Sequence, residues 1–215
     1  PAKNLITYPV RVIRRKNIGE FILLAVLFAD TAEWLVTQPP KNPQEYQAYQ
    51  EWTEFCNTHG IRIHFEAGTK VDFEELLVAS DFCITTSRQE GFGMVYLEPW
   101  LMNTPIIGRD LEYITRDMKD KGIVFPAMYN RLLVDMQGKE VDFKDAEVKN
   151  QRVVIEKALN DTTYKKQIIA RNKFLEVMFE DVSSSLIKTN QAIIYKEYSY
   201  QQYAKKLYEI YQAST

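Results

Sequence analysis

The sequence predicts a Rossmann-like α/β fold, with a doubly wound parallel sheet followed by a helical C-terminal segment. Three observations predict it. Short apolar runs rich in β-branched residues alternate with longer stretches of helical period through the first 125 residues. Turn residues separate the runs. After Pro126 the alternation stops, and from about residue 144 the chain reads as helix. Strand–helix alternation of this kind favours a parallel sheet covered by helices on both faces.

The elements follow in order. Residues 5–13 are β-branched and apolar and read as a strand. Residues 18–29 are apolar on most faces, as a buried helix is. A second strand is expected over 34–37, and Pro39, Pro40 and Pro43 then mark a loop. In residues 44–59, Tyr46, Tyr49, Trp52 and Phe55 recur every three positions, an amphipathic helix that Gly60 ends. Residues 61–65 read as a strand, 72–79 as a short helix and 82–85 as a strand. A helix is expected within 92–102, and strands over 105–108 and 122–125. Residues 132–142, with Gln137-Gly138 at their centre, have the pattern of a hairpin.

Composition narrows the function. A chain of 215 residues, 46% hydrophobic, can bury a sizeable core. With 27 basic and 29 acidic residues the net charge is −2, so nucleic acid is not expected as a partner and a basic site has to be local. The longest apolar run, 21–29, is far below the roughly 20 residues of a membrane span. Two cysteines, Cys56 and Cys83, do not make a disulfide framework, and a reducing, cytoplasmic compartment is expected. His59 and His64 lack further ligands nearby, so no metal site is expected.

Two segments carry chemistry. Arg11, Arg14, Arg15 and Lys16 put four cations at the end of the first strand, where a doubly wound sheet presents its ligand site. Guanidinium and ammonium groups suit a diphosphate, although a solvated basic turn has the same sequence. Ser87-Arg88-Gln89-Glu90-Gly91-Phe92-Gly93 lies between a strand and a helix. Its two glycines allow backbone amides to approach a ligand. It lacks the Lys-Ser/Thr ending of a P-loop and the three spaced glycines of a dinucleotide site. Glu90 and Glu98 on one continuous helix stand roughly 12 Å apart, too far for the roughly 5–9.5 Å of a glycosidase pair. That spacing suits two contacts on one extended ligand. Pro99 follows Glu98 directly, so the helix either starts there or bends there.

Together these segments resemble the C-terminal domain of the group-1 retaining glycosyltransferases of GT-B fold. The carriers are Arg11 and Lys16 five positions apart, Glu90-Gly91-Phe92-Gly93 with Glu98 after seven further residues, and Thr104-Pro105-Ile106-Ile107-Gly108. The terminal stretch Tyr198 to Tyr211 is similar to the family's last helix. The resemblance implies that Arg11, Lys16 and Glu90 are catalytic. Arg11 and Lys16 then hold the donor diphosphate, and Glu90 binds donor-sugar hydroxyls. It further implies backbone contacts from Gly91, Phe92 and Gly93, a ribose contact from Glu98, and a base contact from Gly68 and Thr69. The donor substrate is a nucleoside-diphosphate sugar, with no other cofactor. Residues 1–215 form the donor domain, 144–215 being largely helical, and the acceptor domain precedes them and is absent. The fragment alone is expected to be inactive, and its terminal helix to expose aromatic area. In the family the loop after Gly108 carries small residues; here Arg109 and Asp110 make it more polar. A sugar phosphorylase, a sugar-phosphate synthase and a non-catalytic binding domain are the alternatives.

Overall fold

A computed structural model describes residues 3–199 and Gln202. Five parallel strands form the central sheet, in the order β2-β1-β3-β4-β5. Strand β1, Asn4–Arg11, runs into a 3-10 turn, Arg14–Lys16, and then helix α1, Ile18–Leu27. All ten residues of α1 are buried, which is why its sequence carries no polar stripe. Strand β2, Ala32–Gln38, is followed by α2, Pro43–Thr58, whose first turn is capped by Asn42. Helix α3, Phe73–Ala79, precedes β3, Phe82–Thr85.

A 3-10 turn, Met94–Tyr96, and the four-residue helix α4, Glu98–Leu101, lead to β4, Ile106–Arg109. Helix α5, Glu112–Asp120, and the short β5, Met128–Tyr129, complete the sheet. Strands β6, Leu133–Met136, and β7, Lys139–Asp142, pair as an antiparallel hairpin. Its turn is Gln137-Gly138, both at positive φ (56° and 79°), the backbone a two-residue primed turn demands. Helices α6, Val148–Asn160, α7, Thr162–Arg171, and α8, Ser184–Glu197, follow.

Two apolar layers cover the sheet. Phe21, Trp34, Trp52, Ile155 and Ile168 belong to one, with α1, α2, α6 and α7. Cys83, Tyr96, Trp100, Met118 and Ile194 belong to the other, with α4, α5 and α8. Each large side chain so buried contributes about 1.5–3 kcal/mol.

Three sequence expectations need correction, and one helix was missed. Residues 61–65 form no strand. His64 bridges to Leu35 through two backbone bonds, then Glu66 turns left-handed (φ 61°) and the chain leaves the sheet. Residues 122–125 are not a strand either. The amides of Gly122 and Ile123 donate to Lys119 and Met118 and close the C-terminus of α5, and the fifth strand is 128–129. Helix α5 itself was not expected, although Leu111, Ile114, Thr115 and Met118 stand at helical spacing and face inward; it is short and otherwise polar. The helix expected within 92–102 is present as α4, but it does not extend back to Glu90. Glu98 is the first residue of α4 and Pro99 lies in its first turn, where proline is tolerated. Glu90 is in the preceding loop, so the separation assumed from a continuous helix does not apply.

Cys56 and Cys83 are both buried and free. Of the terminal tyrosines, Tyr195 is exposed, while Tyr198 donates a hydrogen bond to Asp117 (2.7 Å). Tyr200, Tyr203, Tyr208 and Tyr211 lie outside the described residues, so the expected aromatic area of the last helix does too.

Candidate functional site

The strand order fixes where a ligand crevice opens. From β1 the chain moves outward to β2 on one side, then returns to β3 on the other. The loops that leave the carboxyl ends of β1 and β3 therefore diverge, and the gap between them is the topological switch point of the sheet. Both candidate segments leave the sheet there.

Local chemistry joins the two loops. The first is the 3-10 turn Arg14–Lys16 ending at Asn17, which takes the left-handed conformation (φ 51°) that Asn tolerates. Thr86 donates its hydroxyl to the carbonyls of Lys16 (3.0 Å) and Asn17 (3.2 Å). The Tyr8 hydroxyl donates to the Lys16 carbonyl (2.6 Å), and the Arg88 amide donates to the Arg15 carbonyl (2.8 Å). Tyr8 is fully buried, and burial raises its pKa from 10 to about 12.

On this platform the Lys16 ammonium forms an ion pair and a hydrogen bond with the Glu90 carboxylate. Their side chains are only 10% and 8% exposed. That is too buried for the negligible worth of a surface pair. Tyr113 of α5 holds the backbone of Glu90: its hydroxyl accepts from the Glu90 amide (2.7 Å) and donates to the Glu90 carbonyl (3.1 Å).

The glycine segment follows. A Cβ on Gly91 would meet nothing within 4 Å, whereas one on Gly93 would stand 2.3 Å from Ile114, at φ 71°. Gly93 thus requires glycine and Gly91 does not. The amides of Gly91, Phe92 and Gly93 donate to no acceptor among the described residues. The Phe92 ring is 92% exposed. Glu98 is half-buried, and its carboxylate has no hydrogen-bond or ion-pair partner among the described residues. Arg11, at the end of β1, is likewise half-buried with an unpaired guanidinium.

Gly68 and Thr69 lie on a 3-10 turn, Ala67–Thr69, at the end of the edge strand β2. A Cβ on Gly68 would stand 2.9 Å from the Thr37 carbonyl, so the turn packs directly on the strand end. No contact among the described residues joins them to Lys16 or Glu90. The structure brings two of the expected residues, Lys16 and Glu90, into contact. Two cavities flank the turn after β1. One, of about 390 Å³, lies between the turn after β1, α2 and α6. The other, of about 480 Å³, is lined by Ile13, Arg14, Arg15, Glu45, Arg88 and Gln89.

Sequence reasoning missed one ionic centre. Arg109 does not make the loop after β4 more polar but turns inward and is fully buried. It donates to both carboxylate oxygens of Glu20 (3.0 and 2.6 Å), to both of Asp142 (3.1 and 2.9 Å) and to the Asn130 carbonyl (2.7 Å). Tyr129 and Asn17 complete the shell of Glu20. Burial alone disfavours the Arg109 charge, but Glu20 and Asp142 outweigh it and raise its pKa. Glu20 in the first turn of an otherwise apolar helix was the available signal.

No group of three His, Cys, Asp or Glu that could hold a metal ion occurs among the described residues, and no described helix is long and apolar enough to cross a membrane.

No protein-family model matches the chain. Solved structures do. The C-terminal domain of a group 1 family glycosyl transferase from Francisella tularensis superposes with a TM-score of 0.52 at 16% identity, over 93% of this chain and 88% of that one. This chain has the fold of a group-1 glycosyltransferase C-terminal domain. Sucrose-phosphate synthase from Thermosynechococcus elongatus shares the fold, with a TM-score of 0.51 at 16% identity, over 99% of this chain and 46% of that one. In sequence, the chain is 31% identical over 144 residues to mannosylglucosyl-3-phosphoglycerate synthase from Petrotoga mobilis. The match takes in 66% of this chain and 28% of that protein, so this glycosyltransferase-fold domain spans under a third of its relative.

Proposed function

We propose that this domain is the donor-binding half of a retaining glycosyltransferase that moves a sugar from a nucleoside-diphosphate sugar to an acceptor. The contact between Lys16 and Glu90 across the switch point carries the proposal. It puts a cation suited to phosphate beside a carboxylate suited to sugar hydroxyls, in the crevice where such sheets bind ligands.

In this reading Arg11 and Lys16 hold the diphosphate, and Glu90 accepts hydrogen bonds from the donor sugar. The free amides of Gly91, Phe92 and Gly93 turn toward the sugar or its phosphate. The unpaired carboxylate of Glu98 binds ribose hydroxyls, and Gly68 and Thr69 bracket the base. Binding requires Lys16 to share its charge between Glu90 and the incoming phosphate. As the bond from the anomeric carbon to the phosphate oxygen breaks, negative charge grows on the leaving diphosphate, and Arg11 and Lys16 stabilise it. The acceptor oxygen bonds to the anomeric carbon on the same face, and its proton passes to the leaving phosphate. The products are the glycoside and the nucleoside diphosphate. No cofactor beyond the donor is assigned. Most of the acceptor site lies on a further domain, which the length of the Petrotoga mobilis relative supports. Two free, buried cysteines support a reducing, cytoplasmic setting.

Titration of UDP-, GDP- and ADP-sugars into the chain tests this reading and identifies the base. The expected result is weak binding of one class and no transfer by the 215-residue chain alone. If no nucleotide sugar binds, the donor reading fails. If the chain transfers sugar alone, the need for a second domain fails.

A further inference from the structure

Four of the ten arginines are held by carboxylates, and among the other six three converge on one cavity. Arg109, Arg116, Arg152 and Arg171 each have a carboxylate partner. Arg14, Arg15 and Arg88 have none, and their guanidinium groups make no hydrogen bond among the described residues. These three line one open cavity of about 480 Å³ with Ile13, Glu45 and Gln89.

Three unpaired cations side by side repel one another unless an anion joins them, and nothing in the net charge of −2 calls for such a cluster. The fold nevertheless fixes them together. The Arg88 amide donates to the Arg15 carbonyl (2.8 Å), which ties the loop after β3 to the turn after β1. The one carboxylate in the cavity, Glu45, is engaged by the Arg14 amide (2.9 Å) and pins the turn to α2. The cavity keeps an excess of two positive charges, three guanidiniums against Glu45. It also abuts the donor pair through the chain itself, because Arg15 precedes Lys16 and Gln89 precedes Glu90.

We propose that this arginine cleft binds the anionic end of the acceptor, a phosphate or carboxylate carried by a small organic acid such as a phosphoglycerate. The inference rests on the donor reading above and adds the acceptor's chemical class to it. Guanidinium forks match both oxyanions in bidentate geometry. The three arginines hold the acceptor's charged end while its hydroxyl reaches toward the anomeric carbon beside Glu90.

The test is calorimetric titration of the 215-residue chain at low salt with 3-phosphoglycerate, glycerate, inorganic phosphate and glycerol, and separately with the nucleotide sugar. The wild-type chain is expected to bind 3-phosphoglycerate and not glycerol. Glycerate and inorganic phosphate divide the affinity between carboxylate and phosphate. Arg14→Gln and Arg88→Gln remove side chains without partners in the fold. Each should weaken 3-phosphoglycerate about 10-fold and leave nucleotide-sugar binding unchanged. Lys16→Ala should do the reverse. Failure of the wild-type chain to bind 3-phosphoglycerate overturns the inference while leaving the donor reading intact. So does loss of nucleotide-sugar affinity in Arg14→Gln or Arg88→Gln, since the cleft then belongs to the donor. Loss of nucleotide-sugar binding in none of the variants, Lys16→Ala included, is instead a failure of the donor reading.

Discussion

Two ionic centres stand at the carboxyl edge of the same sheet and differ in one respect. Around Arg109 every donor finds an acceptor: Glu20, Asp142 and Asn130 saturate the guanidinium, with no exposure to water. Around Lys16 one contact to Glu90 is made, while Arg14, Arg15 and Arg88 in the adjoining loops have no ionic partner among the described residues. A buried, saturated network resists opening and holds α1, β4 and the hairpin in register. A half-paired edge leaves charge available to a ligand. Under the proposed function, a buried pair alone does not mark the site; unsatisfied charge next to a pair does.

Five substitutions break or sharpen that contrast. Arg109→Met should have the largest effect. It strands Glu20 and Asp142 without their cation, and removing one member of a buried ionic group costs about 3–5 kcal/mol. Urea unfolding should show a correspondingly lower midpoint, and an unchanged midpoint would mean that the network is not structural. Lys16→Ala should act on binding more than on folding. Nucleotide-sugar affinity should fall roughly 10- to 100-fold, with a smaller loss of stability than in Arg109→Met. Gly93→Ala imposes a Cβ at φ 71° against Ile114 and should cost about 1–3 kcal/mol, whereas Gly91→Ala should be nearly silent. The difference between the two melting curves measures it. Phe92→Ala should change stability by less than about 0.5 kcal/mol, since its ring is in water. A larger loss would show that the ring packs on the domain.

Much of the contrast was legible in the sequence, but unevenly. The cations at the end of the first strand and the glycine segment after residues 82–85 each followed a strand, and the fold brings the two loops together at Lys16 and Glu90. Arg109 and Glu20 are 89 positions apart and hydrogen-bond to one another, and only the fold reveals that. Residues 61–65 have the composition of a strand, yet a single bridge to the sheet edge is all they form. Helix α5 has a narrow inward stripe of Leu111, Ile114, Thr115 and Met118, which was legible in the sequence but is set in a short, mostly polar stretch. Pro99 left two outcomes open, and the late helix start decides between them, aiming Glu98 from a first turn rather than along a continuous helix.

The central claim is that Lys16 and Glu90 act together on one donor. A double-mutant cycle tests it most directly: nucleotide-sugar and bare nucleoside-diphosphate affinities for the wild-type chain, Lys16→Ala, Glu90→Gln and the double variant. The account predicts that Lys16→Ala weakens both ligands. Glu90→Gln should weaken only the sugar-bearing ligand, because it frees Lys16 for the phosphate, and the two effects should be non-additive. Additive effects, or a Glu90→Gln variant that binds both ligands as the wild type does, would contradict it.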